Sequence, residues 1–433
     1  MIARAQLTKF MGVSPDVTLA PRAGMIVVLG ALVALVPLTI DMYLPALPKI
    51  AADLSVSSSV AQLTLTGTLA GLALGQLIVG PLSDSLGRRR PLMAGIVVHM
   101  LASVLCLFAP NIAVLGVARA LQGMGAAAAM VVAFAVVGDL FAESVAATVL
   151  SRLMLVLGVA PVLAPSLGAA VLLSASWHWV FAALVILAGG LLLLAALALP
   201  ETLPASHRRP LKVRSIAATY VEVLRDVRFD ILVLVGALVM SGLFAYIAGA
   251  SFVLQGHYGL NQQAFALVFG AGAVALIAAT QVNVVLLRRF GPQTIALWAL
   301  VAASLGGVVF VGLSLAHIGG LAGFVVPVWA ILAAMGLVTS NAPAVALARH
   351  PDAAGTAAAL LGAAQFTLGA AVAPLVGVLG NDEVALALVM TTGIVIALLA
   401  LLAIGVQATE NGVPATENED GVTGDAVAEP CLT

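Results

Sequence analysis

Residues Gly80 to Pro91 read GPLSDSLGRRRP, a charged, turn-forming stretch between two runs of hydrocarbon. Its meaning comes from its surroundings. Apolar residues make up 62% of the 433-residue chain and charged residues only 9%, against about half and a quarter in soluble domains. A bilayer crossing takes about 20 apolar residues to cover roughly 30 Å. The stretch is therefore read as a short charged hinge between two membrane spans, in a polytopic membrane protein built of helices.

Twelve such spans can be read outward from the hinge. In the first half they fall at 25–43, 60–80, 92–109, 112–137, 148–173 and 177–199. In the second half they fall at 231–254, 263–287, 294–313, 321–348, 354–379 and 384–406. The longest internal polar connection runs from Pro200 to Asp230 and divides the spans six and six. The expected organisation is a short N-terminal segment (1–22), a six-helix half (23–199), a basic linker (200–230), a second six-helix half (231–406) and a disordered acidic tail (407–433). That tail carries six acids and no Lys or Arg, too little apolar surface to order itself.

The halves echo each other. Ala164-Pro165-Ser166-Leu167-Gly168 is matched by Ala373-Pro374-Leu375-Val376-Gly377, and Ser85-Leu86-Gly87 by Arg289-Phe290-Gly291, at similar offsets near half the chain. Secondary transporters are commonly repeats of this kind, with the substrate site at the repeat interface. Gly67, Gly71 and Gly75 form a four-residue stripe on the second span. Such glycines let helices approach closely, in a static contact or a sliding one.

All 18 lysines and arginines except Lys49 and Arg119 fall at the N-terminus, in the linker, in the even-numbered loops or, for Arg152, at the span end beside one. Basic residues near span ends are retained in the cytoplasm, so both termini are expected there. A cleaved signal peptide is the competing reading of the first run. It fits poorly, because the run is long, lacks a cleavage pattern and contains an acid. Cys106 and Cys431 form no disulfide framework.

One carboxylate, Asp41, lies clearly within a span. By helical rise it sits roughly 24 Å from the start of the first run, and Arg119 sits roughly 10 Å from the start of the fourth, at comparable depth in the outer half. Buried ionisable groups cost about 2.5–3.5 kcal/mol and usually mark proton or substrate paths. The two could pair directly or through water, with Asp41 carrying a proton and Arg119 modulating it. Desolvation favours the neutral carboxyl and a nearby cation the charged one, so a cavity opening to alternate sides changes the balance. The competing readings are a wet helix end for Asp41 and a structural charge for Arg119. Tyr43, Gln62, Gln122, Tyr246 and Gln365 are the candidate substrate-cavity residues, although polar side chains in spans often only bridge helices.

The six histidines show no metal-binding spacing, and no phosphate loop or nucleophile motif occurs. Neither cofactor, metal nor nucleic acid is therefore expected. The spans carry no catalytic constellation, which disfavours a membrane enzyme, and no repeated polar face, which disfavours a channel.

Four segments resemble drug:proton antiporters of the major facilitator superfamily, specifically the bicyclomycin- and chloramphenicol-resistance group. They are Asp41-Met42-Tyr43-Leu44-Pro45, the loop Gly80–Asp84 with Gly87–Arg90, Arg119-Ala120-Leu121-Gln122-Gly123, and Gly158 with Ala164–Ala169. The resemblance implies a twelve-helix exporter of small, partly apolar compounds that exchanges them for protons in a bacterial cytoplasmic membrane, acting as a monomer. It also associates Arg119 with proton coupling and implies an antiporter motif at Gly158, Pro161, Pro165 and Gly168, and a cytoplasmic gate at Asp84, Gly87, Arg88, Arg89 and Asp139. Without the resemblance, Asp84, Arg88 and Asp139 still read as a charge-assisted latch, or else as a solvated topogenic patch. A proton-coupled or facilitative importer of a sugar or metabolite is the rival of the same fold.

Overall fold

The computed structural model describes residues 19–405, with 209 and 211 excepted. Among these residues twelve helices are long and apolar enough to cross a membrane. In the first half these are α1 (Leu19–Asp41), α2 (Ser58–Leu86), α3 (Arg89–Leu107), α4 (Ile112–Leu140), α5 (Glu143–Leu172) and α6 (His178–Ala198). In the second they are α7 (Val227–Phe252), α8 (Gln262–Leu286), α9 (Pro292–Ala316), α10 (Gly320–Leu347), α11 (Ala354–Val378) and α12 (Glu383–Ile404). Hydrocarbon offers no partner for a free N–H or C=O, so apolar segments crossing it wind into helices that satisfy their own backbone. The expected acidic tail at 407–433, and Arg4 and Lys9, lie outside the described residues.

The helices alternate in direction, giving the bundle a basic end, with the linker and the α2–α3, α8–α9 and α10–α11 loops, and a far end, where Asp41 lies. Four of the six helices starting at the far end, α2, α4, α8 and α12, are capped by small neutral or acidic side chains. Ser57 accepts from Val60 N, Asn111 from Val114 N, Asn261 from Ala264 N and Asp382 from Ala385 N, at 2.8–3.3 Å. Each supplies an acceptor to a donor the helix cannot satisfy itself.

Packing repeats between the halves. α4 rests on α1, α2 and α3, α6 on α1 and α3, and α5 on α1; adding six to each number gives the second half's principal contacts. The halves meet along α2 against α11 and α5 against α8, a pair of contacts that the same rule exchanges. Close approach depends on glycine. A Cβ at Gly71 would collide with the carbonyl of Ala120, and one at Gly123 with that of Thr68, so α2 and α4 touch backbone to backbone.

Two local features differ from the sequence expectation. The charged hinge is shorter than Gly80–Pro91, because α2 continues through Pro81 to Leu86 and α3 starts at Arg89. Proline in a helix leaves the carbonyl four residues earlier without its donor. Here that carbonyl, Leu77 O, accepts from Tyr220 Oη at 3.3 Å. Tyr220 belongs to the second unforeseen feature, an 11-residue helix Val213–Val223 inside the linker. That helix packs against α11, so it lies beneath the α2–α11 seam at the basic end.

Candidate functional site

Asp41 is the last residue of α1 and is 2% exposed, with no partner for its Oδ1. Arg119, in α4, is fully buried. They do not form a direct ion pair. Arg119 Nη1 instead donates to Thr39 O and Gln122 Oε1, both at 2.9 Å. Its guanidinium lies 3.9 Å above the ring of Tyr43, a cation–π arrangement that gains strength where water is excluded. Nε and Nη2 have no partner. The arginine therefore faces the turn that carries Asp41 with donors unspent.

A buried polar chain extends from it. Gln122 Nε2 donates to Ser103 Oγ at 2.7 Å, and Ser103 Oγ donates to His99 O at 2.7 Å. His99 Nε2 lies 2.9 Å from Thr39 Oγ1, whose hydrogen goes to Leu35 O at 2.6 Å. The threonine can then only accept from the imidazole, which leaves Nδ1 as a bare acceptor, and this atom has no partner. Thr39, Ser103 and His99 were not among the sequence candidates. A histidine inside a span was the available signal, but it was weighed only for metal spacing.

The expected cavity residues do not gather in one place in this conformation. Tyr43 and Gln122 surround Arg119 within the first half. Tyr246 is buried in the second half, its ring stacked on Phe269 at 5.2 Å, and Gln365 is partly buried on α11. Gln62 is a joint between halves: its Nε2 donates to Asn381 Oδ1 at 2.7 Å and Ala248 O at 3.2 Å. Nearby, Ser59 Oγ donates to Gly377 O at 2.7 Å and Ser251 Oγ to Leu44 O at 2.6 Å. These bonds close the far end. Asn381, held at a positive φ of 58°, was also missed, since its partner lies hundreds of residues away.

The fifth-helix motif sits at two contacts. Gly158 faces Ile277 of α8, and Gly168 lies against the backbone of Met42, next to Asp41, where any Cβ would collide. Pro161 and Pro165 lie within α5 between them.

The charged loop forms a clasp. Arg88 donates through Nε and Nη2 to Asp139 at 2.9 and 3.3 Å, and through Nη1 to Asp84 at 2.5 Å and Ser83 at 2.8 Å. Thr202 also donates to Asp139, at 2.8 Å. Glu201, at the start of the linker, accepts from the backbone N–H of Arg88 at 2.7 Å and Arg89 at 3.3 Å, capping α3. Gly87, at φ 91°, leaves room for this carboxylate. Burial pushes the Glu201 carboxyl up, but the N–H groups of Arg88, Leu203 and Arg89 and the Arg208 guanidinium hold it below the usual range. Arg89 Nη2 donates to Ala196 O at 2.6 Å. All these partners belong to the first half or the first residues of the linker. The clasp is therefore internal to that half, and Glu201 is a member the sequence reading did not assign.

The Major Facilitator Superfamily model matches residues 29–374. The chain belongs to the major facilitator superfamily. It is 38% identical over 385 residues to the MFS-type transporter YdgK of Bacillus subtilis, covering 88% of this chain and 94% of that one. It is 32% identical to the bicyclomycin resistance protein homolog of Haemophilus influenzae, covering 87% and 94%. Over 176 residues it is 39% identical to the multidrug resistance protein MdtL of Escherichia coli, covering 41% of this chain and 45% of that one. The xylose transporter XylE of E. coli, in a partially occluded inward-open conformation, superposes with a TM-score of 0.70 at 14% identity, covering 88% of this chain and 97% of its own. The nucleoside transporter NupG gives 0.70 at 12%, covering 88% and 100%. The facilitator fold and its pseudo-symmetric halves follow, and the superfamily member is a membrane transporter, not an enzyme.

Proposed function

We propose that this transporter exports a small, partly apolar, neutral or weakly polar compound in exchange for protons. One observation carries the reading: an acid buried at the end of α1 with an unpartnered oxygen, beside a fully buried arginine with unspent donors. Uncompensated charge in a membrane interior is costly and is retained where it does work. The likeness to bicyclomycin- and multidrug-resistance proteins supports drugs or antibiotics as the substrate class and outward transport.

With the far end closed, the site exchanges with the basic end, which the lysine and arginine asymmetry assigns to the cytoplasm. Asp41 gives up its proton there as the compound enters. When the halves rock and the far end opens, Asp41 takes a proton from outside, and the compound leaves. Arg119 favours the charged carboxylate in the first state and must be less effective in the second, since coupling needs an affinity that differs between states. The clasp keeps the first half rigid as it rocks.

The test is proton uptake and efflux in proteoliposomes challenged with a panel of antibiotics. Asp41→Asn is expected to abolish proton-driven export while leaving substrate binding within a few fold. Arg119→Ala is expected to impair coupling and stability together. Normal proton exchange in Asp41→Asn would place the carrier elsewhere.

A further inference from the structure

The α8–α9 loop holds in the second half the position that the α2–α3 loop holds in the first. In the first half the loop is met by carboxylates of the chain: Arg88 meets Asp84 and Asp139, and Glu201 caps α3. In the second half α8, α9 and α10 contain no Asp or Glu at all. Arg288 and Arg289 are exposed, and among the described residues their side chains make no ion pair or hydrogen bond. The first turn of α9 likewise has no acid and no side-chain cap. Among the described residues, two guanidinium groups thus share a short loop with no carboxylate beside them.

Beside this loop α8, α9 and α10 enclose an open trough of about 380 Å³. Its walls include Leu286, Phe290, Thr294, Trp298, Ala334 and Leu337, and nearly all the lining surface is hydrocarbon. Phe290 and Trp298 are 51% and 66% exposed, and aromatic rings near span ends favour the headgroup boundary. Phe290 follows Arg289 directly, so the trough opens next to the two arginines. A free inorganic anion would leave the trough unfilled, and a neutral lipid would leave the arginines unanswered.

We infer that this is a binding site for an anionic phospholipid, its phosphate against Arg288 and Arg289 and an acyl chain in the trough. Basic pockets between spans on the cytoplasmic side suit such headgroups. The site does not depend on the direction of transport or on Asp41.

The experiment uses the full chain in detergent micelles, with brominated phosphatidylglycerol or brominated phosphatidylcholine as quencher. The signal is the tryptophan emission of the parent minus that of Trp298→Phe. Phosphatidylglycerol is expected to quench at a lower mole fraction, by about 5-fold per arginine and roughly 25-fold for the pair. Arg288→Gln with Arg289→Gln should erase the preference, Arg288→Lys with Arg289→Lys should retain most of it, and Arg225→Gln with Arg228→Gln should leave it intact. Equal quenching of the parent by the two lipids overturns the site. So does a preference that survives the double glutamine variant, or one abolished by millimolar inorganic phosphate, which would make the ligand a free anion.

Discussion

At the scale of single residues, the glycines of α2 separate into those that touch α4 and those that do not. A methyl group at Gly71 has nowhere to go except into the Ala120 carbonyl, whereas Gly80 has nothing within 4 Å of its missing Cβ. Overpacking a tight contact costs about 1–3 kcal/mol. Gly71→Ala is therefore expected to lower the thermal unfolding midpoint of the purified protein by several degrees. Gly80→Ala, on the same helix, should leave it unchanged or slightly raised. Asp41 and Arg119 were legible in the sequence for a simple reason: in a chain this poor in charge, an acid and a base inside spans stand out. Their partners were not legible. Thr39 contributes a backbone carbonyl that any residue could supply, and Ser103 and His99 reach the arginine only because α3 packs against α4.

At the scale of elements, the start of α3 depends on a carboxylate more than a hundred residues away. Glu201 supplies the cap that Arg88, the residue before the helix, cannot. Removing it is expected to cost about 1 kcal/mol, the scale of a lost N-cap. The pH dependence has a defined sign. The folded carboxyl sits below its unfolded value, about 4.3, so its contribution is complete above that pH and is lost as pH falls through the lower folded value. Thermal midpoints of the parent and Glu201→Gln should differ at pH 7 and converge below about pH 4. Helix number and order were readable because the bilayer imposes one length and one backbone solution on every span. Helix ends were less so. The span as read from the sequence ends before Pro81, yet α2 continues through it, and the carbonyl that the proline frees is taken up by Tyr220 from a linker helix with no apolar run to announce it.

At the scale of the whole molecule, the far end is held shut by bonds between halves, and opening must break them. A Cβ built on Gly377 lies 3.0 Å from the Cβ of Ser59, and a small backbone adjustment gives the separation a disulfide needs. Ser59→Cys with Gly377→Cys, in a Cys431→Ser background, is expected to cross-link on mild oxidation and stop export, with full recovery on reduction. Undiminished export by the cross-linked protein would show that the far end need not open. Orientation has its own check. Ala52 is exposed at the far end and Arg225 at the basic end. In the same background, Ala52→Cys should react with an impermeant thiol reagent added to whole cells, and Arg225→Cys only after lysis. The opposite pattern would reverse the topology.

The linker looks long enough to let the halves drift freely, yet it is pinned at three points. Glu201 is fixed to the start of α3, and Tyr220 is fixed to α2. Asp226 is held by Arg349 of the second half through bonds of 2.6 and 3.1 Å, and that arginine keeps its carboxyl below the usual range. The stretch from Glu201 to Tyr220 therefore begins and ends on the same half and contributes no slack. The stretch from Tyr220 to Asp226 joins the anchor on α2 to the anchor at the start of α7, and fully extended it reaches about 20 Å; the helix carrying Tyr220 also packs against α11. The linker is a short leash: it caps how far the basic ends can part, and the hydroxyl of Tyr220 sets where that leash is tied.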